Sequence, residues 1–387
     1  MQKSFVANHT SHYCKLVVMK HIVIDARIRK SSTGRYMDRL LEWLQKIDNN
    51  KYRYTLVLNS VDDWAPINDN FKVVRTNIKP YSFNILNQVT YARFLNKLRP
   101  DLVHFTITPQ EPVFYFGKRV TTTHDLTMYR YARAGKLPTW VHWLRMKGYK
   151  FLFWQSHKSA KQIIVPTQFV RNDLIKLHPF TKNKIAVTLE ASEPPLNNKP
   201  LKPQNINKQY ILHVGSPLPH KNIERLIDAF EILKQTTGPN LKLILAGKKE
   251  NFFNKLVTEK INQSKFRNDI IMPGFIGEAE LKWLYENAEC YVLPSLSEGF
   301  GLPGLEAMAH GCPLVSSNAT CLPEVYGDGA HYFNPYSVED MALKISEVLE
   351  NKKLRTQLIK KSHQQIKKYS WKKMAEETLA VYENIIK

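Results

Sequence analysis

The stretch that decides the fold reads PSLSEGFGLPGLEAMA and occupies residues 294–309. It follows the apolar, strand-like run 290–293 and passes into an Ala-rich apolar pattern that is typical of a helix. Gly299 and Gly301 therefore lie where a buried strand ends and a helix begins. Backbone N–H groups and the positive end of the helix dipole favour an anion such as a phosphate at this kind of junction.

Two carboxylates flank this loop, Glu298 just before the glycines and Glu306 in the helix that follows. Carboxylates repel a phosphate, but they accept hydrogen bonds from hydroxyl groups. The stretch therefore predicts a ligand that carries a phosphate and sugar hydroxyls together.

Short β-rich runs alternate with helical patterns along the whole chain. Helical patterns occur, for example, at 36–46, 222–235, 278–287 and 304–310. Regular alternation of this kind is typical of parallel, doubly wound α/β sheets. The predicted strands are 22–25, 54–58, 102–105, 120–123, 163–165, 210–214, 242–246, 270–272, 290–293 and 313–316.

The length of 387 residues is enough for two or three domains. Residues 193–208 are rich in Pro and Asn, which is the composition of a linker. We therefore predict two Rossmann-like domains, 19–192 and 209–370, whose parallel sheets face each other across a cleft. Residues 1–18 are predicted to be a disordered extension. A C-terminal helix is predicted at 371–387, with packing back on the N-terminal domain as one option.

Positive charge is concentrated in the first half of the chain. Residues 1–208 hold 34 Lys and Arg against 13 Asp and Glu, whereas residues 209–387 hold 22 against 21. The first half is therefore expected to face an anionic partner, which would be a membrane surface, a phosphorylated acceptor or a nucleic acid.

The sequence has no apolar run of the roughly 18–20 residues that a membrane-spanning helix needs. No apolar core of a signal peptide occurs in the first 18 residues. The four cysteines form no CxxC pair, which favours buried, reduced thiols in a large chain. These features predict a cytoplasmic protein.

The second half opens with the strand-like run 210–214, and a Pro-rich turn leads from Gly215 to Lys221. Ligands of open parallel sheets bind at the carboxyl ends of the strands. Lys221 would lie at that edge, where its ammonium group can pair with a phosphate. Asn222 is a candidate N-cap of the helix that follows.

Residues 215–226, 273–275 and 298–306 together resemble the retaining GT-B glycosyltransferases of family 4. The hallmark of that family is a pair of glutamates with seven residues between them, as Glu298 and Glu306 have here. The resemblance is strong over the second half and looser over the first. It implies a GT-B fold with an N-terminal acceptor domain and a C-terminal nucleotide-sugar, or donor, domain.

The resemblance also implies a role for each matching residue. Glu298 would bind hydroxyls of the donor hexose, and Glu306 would accept hydrogen bonds from the nucleotide ribose. Lys221 would neutralise the diphosphate, and Phe275 would lie against the nucleotide base. The loop backbone would hold the distal sugar and the phosphates at Gly299, Phe300, Gly301 and Leu302.

One position departs from the family pattern. Many members have Arg directly after the glycine at 215, as a second cation for the phosphates, whereas this chain has Ser216. Either Lys221 works with backbone N–H groups alone, or another basic residue substitutes. The sequence leaves both options open.

Two sites of the first half resemble the family as well. Gly34 belongs to a loop ahead of the first long helix and would let the backbone approach the diphosphate and the acceptor. His124 follows a predicted strand, and the equivalent family residue lies near the reacting sugar carbon. His104 also ends a strand and ranks below His124 as a candidate. Each of these sites also has a purely structural reading, as a helix-entry turn or a structural histidine.

The implied reaction transfers a hexose, mannose or glucose-like, from a UDP- or GDP-sugar to a hydroxyl group with retention of configuration. The chain has no Asp-x-Asp motif, which would hold a metal ion in the other large glycosyltransferase architecture. We therefore expect no metal and no cofactor beside the nucleotide-sugar co-substrate. Lys221 and a helix N-terminus would stabilise the leaving diphosphate, and His124 and Glu298 are the predicted catalytic residues.

A glycan or lipid-linked acceptor in cell-envelope polysaccharide synthesis is the implied partner. The run 140–154 mixes aromatic and basic residues. It fits either docking on anionic lipid headgroups or a core helix with snorkelling cations. We expect a cytoplasmic protein. If the run 140–154 docks on lipid headgroups, the protein would associate peripherally with the inner membrane face.

Two other function classes remain as alternatives. Another GT-B enzyme, a sugar-nucleotide epimerase or a phosphorylase, would share the fold. A nucleic-acid-binding protein would use the basic first half, but it lacks a recognisable binding module and does not explain the glutamate pair. We therefore predict no nucleic-acid partner.

Overall fold

The computed structural model describes residues 19–29, 34–80, 84–131, 138–193, 199–204, 206, 209–237, 240–247 and 253–387. The predicted extension at 1–18 and part of the predicted linker lie outside the described residues. The described chain forms two parallel sheets, each with helices on both faces, which confirms the predicted fold class.

The first half forms a seven-stranded sheet of order β3-β2-β1-β4-β5-β6-β7, in which every neighbouring pair is parallel. Its strands are β1 (His21–Asp25), β2 (Arg53–Asn59), β3 (Phe71–Thr76), β4 (Leu102–Phe105), β5 (Arg119–Thr122), β6 (Gln162–Val165) and β7 (Ile185–Val187). Its helices are α1 (Gly34–Ile47), α2 (Ile85–Lys97), α3 (Thr127–Arg130), α4 (Thr139–Ser159) and α5 (Gln168–Leu177).

The second half forms a six-stranded parallel sheet of order β10-β9-β8-β11-β12-β13. Its strands are β8 (Tyr210–Val214), β9 (Lys242–Ala246), β10 (Ile270–Gly274), β11 (Cys290–Leu293), β12 (Leu314–Ser317) and β13 (Ala330–Phe333). Its helices are α6 (Ile223–Thr237), α7 (Phe253–Gln263), α8 (Glu278–Asn287), α9 (Leu302–Ala309), α10 (Leu322–Tyr326), α11 (Val338–Glu350) and α12 (Lys352–Gln365).

Three strands are absent from the sequence-based list, namely β3, β7 and β13. All three lie at the edge of a sheet, where one side has no neighbouring strand. Most of their residues are half-buried or exposed, so their sequences lack the continuous apolar run of a central strand. The partial exposure of these edge strands therefore explains why the apolar pattern of the sequence does not reveal them.

The last helix, α13 (Trp371–Ile386), belongs to the core of the first half. It packs along α1, and the hydroxyl of Tyr382 lies 2.6 Å from Nδ1 of the buried His104 in β4. The chain therefore passes between the two halves twice, once after β7 and once before α13. This packing was one of the two options that the sequence left open.

Candidate active site

Both sheets have a topological switch point, between β1 and β4 in the first and between β8 and β11 in the second. Loops that leave such a point diverge to opposite faces of the sheet, which opens a crevice at the carboxyl ends of the strands. The loops after β8 and β11 carry Lys221 and Glu298. The topology thus explains why two residues 77 positions apart meet.

The pair of Lys221 and Glu298 is the centre of this crevice. Lys221 Nζ lies 2.7 Å from Glu298 Oε1, and both side chains are largely buried. The hydroxyl of Ser295 donates a second hydrogen bond to the same oxygen at 2.6 Å. Burial by itself would raise the pKa of Glu298, but the positive charges of Lys221 and His220 outweigh it and lower that pKa below its ordinary value. Glu298 is therefore a carboxylate.

Asn222 connects the two loops. Its backbone is left-handed, with φ of +59°, and its amide donates to the carbonyls of Pro294 at 3.0 Å and Pro335 at 2.8 Å. The side-chain oxygen accepts a hydrogen bond from the Arg225 guanidinium at 2.8 Å, in place of the backbone N–H that the predicted N-cap requires, and the backbone carbonyl accepts from Leu226 N at 3.3 Å. The amide instead holds the lysine loop against the glutamate loop.

Helix α9 begins directly after Gly301, whose φ of +86° is a left-handed value that favours glycine. A Cβ atom at Gly301 would also collide with the Tyr326 hydroxyl, which donates to the Gly301 carbonyl at 2.5 Å. Pro303 lies in the first turn, where a missing N–H costs nothing. The loop backbone is thus held in one shape by the tyrosine below it.

A different contact explains why residue 299 is a glycine. A Cβ atom there would collide with the backbone carbonyl of His124, which belongs to the first half. The hydroxyl of Thr167 donates to the Gly299 carbonyl at 3.2 Å, and the hydroxyls of Thr127 and Ser297 lie 2.9 Å apart. In this structure Gly299 allows a close contact between the two halves. From the sequence alone, the same glycine was explained by the approach of a phosphate.

Glu306 lies in the second turn of α9 and is 8% exposed. Its Oε2 accepts a hydrogen bond from the Tyr285 hydroxyl at 3.2 Å. The guanidinium of Arg35, in the first turn of α1, contacts Oε1 from the other half. Among the described residues, Oε1 has no hydrogen-bond partner beside this ion pair.

His124 follows β5 and has both ring nitrogens occupied. Nδ1 lies 3.1 Å from Glu190 Oε1, and Nε2 lies 3.0 Å from the Thr106 carbonyl. A carboxylate and a backbone carbonyl are acceptors, so this arrangement favours a ring whose two nitrogens both donate. Burial by itself lowers the pKa of His124, but the hydrogen bond and charge of Glu190 outweigh it and raise that pKa. The geometry and the electrostatics therefore both favour the protonated ring.

The remaining predicted residues take different positions. Phe275 follows β10 and is 76% exposed, whereas the Phe300 ring is buried in the hydrophobic core of the second half. Leu302 packs against the cores of both halves. Gly34 starts α1 where a Cβ atom would collide with the Arg29 carbonyl, and residues 30–33 of its loop lie outside the described residues.

Two other histidines are structural. His104 has its ring nitrogens on Tyr382 and Thr122, and burial lowers its pKa to about 3. His213 in β8 is also buried, which lowers its pKa to about 4, and its Nδ1 lies 2.9 Å from the Val292 carbonyl. Both are neutral core residues, so neither is a candidate for a charged role in the crevice.

Sequence reasoning missed Glu190 and Arg35, which hold His124 and Glu306. Glu190 is one of only 13 acidic residues among the first 208, and it is buried directly after the β7 region. An acidic residue in so basic a half is a signal that could have drawn attention to it. Arg35 is one of many cations there, so nothing in the sequence distinguishes it.

The described residues contain no cluster of three or more His, Cys, Asp or Glu side chains that could hold a metal ion. No helix in the described parts of the chain is both long and apolar enough to cross a membrane. The described cysteines, Cys290, Cys312 and Cys321, are free and buried, and burial raises the pKa of each thiol.

Comparison with known families matches both halves. A profile described as glycosyl transferases group 1 matches residues 197–365, and one described as glycosyltransferase family 4 matches residues 33–188. The O-antigen chain mannosyltransferase B of Escherichia coli is 30% identical over 283 residues, which cover 70% of this chain and 72% of that protein. The chain belongs to glycosyltransferase family 4. The predicted resemblance is therefore confirmed, and the protein is a glycosyltransferase.

Two further comparisons give similar proteins. The O-antigen chain mannosyltransferase RfbU of Salmonella typhimurium is 26% identical over 63% of this chain and 62% of its own length. The structure of sucrose-phosphate synthase from Thermosynechococcus elongatus superposes with a TM-score of 0.72 at 16% identity, over 95% of this chain and 99% of that one. The likeness to that structure supports the two-domain GT-B fold.

Proposed function

We propose that this glycosyltransferase moves a hexose from a UDP- or GDP-sugar, with retention of configuration, to a hydroxyl group of a glycan or glycolipid acceptor. The acceptor would be an intermediate of cell-envelope polysaccharide synthesis. The observation that carries the proposal is the buried pair of Lys221 and Glu298 at the switch point of the second sheet. A cation for the phosphates and a carboxylate for sugar hydroxyls meet there, next to the start of α9.

The names of the relatives favour mannose as the hexose. Two of them are O-antigen chain mannosyltransferases, and one of these covers most of this chain. GDP-mannose is therefore the first donor to test, with UDP-glucose as the glucose-like alternative. Glu298 would bind hexose hydroxyls and Glu306 the ribose, with Phe275 against the base and the 299–302 backbone on the phosphates.

The state of His124 restricts the mechanism. Both of its nitrogens lie within hydrogen-bond distance of protein acceptors, so we assign the ring no role in taking the proton of the acceptor hydroxyl. In the reaction we propose, the bond from the anomeric carbon to the leaving phosphate breaks, and the bond to the acceptor oxygen forms on the same face. The acceptor proton passes to the departing phosphate oxygen. His124 would supply a fixed positive charge and orient the reacting groups.

The leaving diphosphate would be stabilised by Lys221 and by the N–H groups at the start of α9. We propose that no metal ion takes part. Closure of the two halves over the donor would exclude water, which would otherwise hydrolyse it. The contact between Gly299 and His124 shows how closely the halves approach.

A panel of UDP- and GDP-sugars tests the proposal. Each is incubated with the protein and with Glu298→Ala, and sugar release or transfer is measured with and without EDTA. We expect turnover of one donor, lost in the variant and insensitive to EDTA. An epimerised nucleotide sugar or a sugar 1-phosphate as product would instead support the other GT-B chemistries. Stabilisation by oligonucleotides but by no nucleotide sugar would contradict the proposal.

We also propose that the protein associates peripherally with an anionic membrane surface through α4. Only Leu152, Phe153, Ser156 and His157 of this helix are buried. Trp140, Trp143, Phe151 and Trp154 are exposed at helical spacing, which argues against the core-helix alternative. Exposed aromatic rings next to basic side chains suit the interface of a bilayer with anionic headgroups, which matches the charge of this half.

Liposome sedimentation tests this proposal. The protein should sediment with vesicles that contain phosphatidylglycerol and not with neutral vesicles. The variant Trp140→Ser/Trp143→Ser should lose most of the binding, whereas the matched change of the exposed Phe116→Ser, outside α4, should not. Binding that is independent of lipid charge, or that survives in the double variant, would contradict the proposal.

A further inference from the structure

Arg35 occupies an unusual position for a cation. It is the second residue of α1, so its side chain starts at the positive end of a helix dipole, where a cation is unfavourable unless an anion is close. The anion in this structure is Glu306, which belongs to the other half of the molecule. The side chain of Arg35 is 42% exposed, so water and solutes reach it.

A second carboxylate lies on the other side of the guanidinium. Arg35 Nε is 3.9 Å from Glu193 Oε1, and Glu193 itself accepts a hydrogen bond of 3.0 Å from Arg39 Nε. Glu193 is therefore already paired with another arginine. The close ion pair of Arg35 is therefore the one with Glu306 of the other half, because Glu193 already pairs with Arg39.

Glu306 Oε1 is the oxygen that a ligand would need. The residue is 8% exposed, and its Oε2 is taken by Tyr285. Oε1 has no hydrogen-bond partner among the described residues beside the Arg35 contact. A buried carboxylate oxygen in a proposed ribose position is suited to accept from a ribose hydroxyl. The ribose and Arg35 would therefore compete for the same oxygen.

The diphosphate needs more positive charge than Lys221 supplies. Its ammonium group is already paired with Glu298 at 2.7 Å, which partly neutralises it. Ser216, near the start of the same loop after β8, brings no charge. A nucleoside diphosphate carries at least two negative charges, so a further cation close to Glu306 would strengthen its binding.

We infer that Arg35 is this second phosphate cation and that it is held on Glu306 until the donor binds. When ribose hydroxyls take Glu306 Oε1, Arg35 loses its anion. The diphosphate of the same ligand supplies a new one, which the guanidinium can bind through two hydrogen bonds. The first half then contributes directly to donor binding. The inference rests on the proposed function, because it requires a nucleotide ligand at Glu306.

This exchange predicts opposite effects on the affinities of two kinds of ligand. A ligand with ribose but no phosphate must displace Arg35 and gives it nothing in return. A ligand with a diphosphate displaces Arg35 and then binds it. Removal of Arg35 should therefore weaken the binding of a diphosphate ligand. The affinity for the nucleoside should stay the same or rise.

Isothermal titration of Arg35→Ala with guanosine, GDP, uridine and UDP tests this. For the base that the wild type binds, we expect the affinity of the diphosphate to fall roughly 10-fold to 100-fold, the effect of one charged hydrogen-bonded contact. The affinity of the nucleoside should stay the same or rise. Arg35→Lys should keep part of the diphosphate affinity. Arg39→Ala is the matched control, because Arg39 lies one turn further along α1 and pairs with Glu193 and Glu42.

Other outcomes would overturn the inference. Equal losses for nucleoside and diphosphate in Arg35→Ala would mean that Arg35 only maintains the shape of the crevice. Unchanged diphosphate affinity would mean that Arg35 does not bind the phosphates. If the wild type bound none of the four ligands, the proposed function would fail, and the inference with it. Thermal melting of each variant checks that it is folded.

Discussion

The crevice edges of both sheets carry polar side chains, but the chain supplies them differently. In the second half, Lys221, Glu298 and Glu306 come from one turn and one short stretch. In the first half, His124 depends on Glu190 and on the Thr106 carbonyl, which come from separate segments. A site made from neighbouring residues leaves a motif in the sequence, whereas a site assembled from distant segments does not.

The halves also differ in how their charges are compensated. The Lys221 ammonium finds its carboxylate in its own half, whereas the Arg35 guanidinium reaches across to Glu306. The second half can therefore preform its part of the site alone. The first half completes its part only when the two halves are together. Four substitutions test this contrast, in order of decreasing expected effect.

Replacement of Lys221 should have the largest effect. Lys221→Ala removes the preformed cation for the leaving group, so we expect kcat to fall by roughly 100-fold or more. The measurement is the initial rate of transfer from the donor that the panel identifies. Lys255→Ala, an exposed lysine of α7, is the control and should retain full activity. A kcat near the wild-type value in Lys221→Ala would remove the distinction between a preformed and an assembled half.

Gly299→Ala tests the contact between the halves. The added methyl group would collide with the His124 carbonyl, so the halves must separate and the reacting groups must shift. We expect kcat/KM to fall roughly 10-fold to 100-fold, with a small increase in the radius of gyration by X-ray scattering. Gly277→Ala is the matched control, because its Cβ would meet nothing closer than 3.9 Å. Wild-type activity in both variants would mean that this contact is dispensable.

Glu190→Gln tests the charge on His124. The folded protein raises the pKa of His124, so the pair stabilises the fold at low pH and loses this contribution as pH rises through the raised value. We expect the variant to lose about 1–3 kcal/mol of unfolding free energy at pH 6 and much less at pH 9. Urea unfolding at both pH values measures the difference. A loss of equal size at both would show that His124 is not the titrating partner.

Tyr382→Phe should have the smallest effect and should leave catalysis unchanged. It removes the hydroxyl 2.6 Å from the buried Nδ1 of His104, and α13 loses one polar contact with the first sheet. We expect a loss of about 1 kcal/mol in unfolding free energy by urea titration. Tyr336→Phe, at an exposed tyrosine, should show no loss. A drop in kcat without loss of stability would link α13 to the crevice instead.

Much of the fold was predictable because central strands are buried on both faces. Runs such as 22–24 and 290–293 are apolar throughout, so they stand out, and the three unpredicted strands all lie at sheet edges. The spacing of Glu298 and Glu306 likewise allowed the family to be recognised. The individual roles of these two glutamates remain predictions.

The two glycines of the loop have a structural explanation as well. The sequence attributed Gly299 and Gly301 to the approach of a phosphate, whereas the structure shows the His124 backbone against one and Tyr326 below the other. Both explanations call for a residue without a side chain. A sequence shows that space is required at a position but cannot show which atoms fill it.

By itself, the sequence of this protein determined the alternation of strands and helices, the basic first half and the contiguous loop with its two glutamates. These features arise from neighbouring residues, whose spacing fixes their relative positions within one element. Only the tertiary structure decided that Arg35 contacts Glu306, that Glu190 pairs with His124 and that α13 returns to the first sheet. These contacts join residues far apart in the chain, so they depend on how two complete sheets face each other.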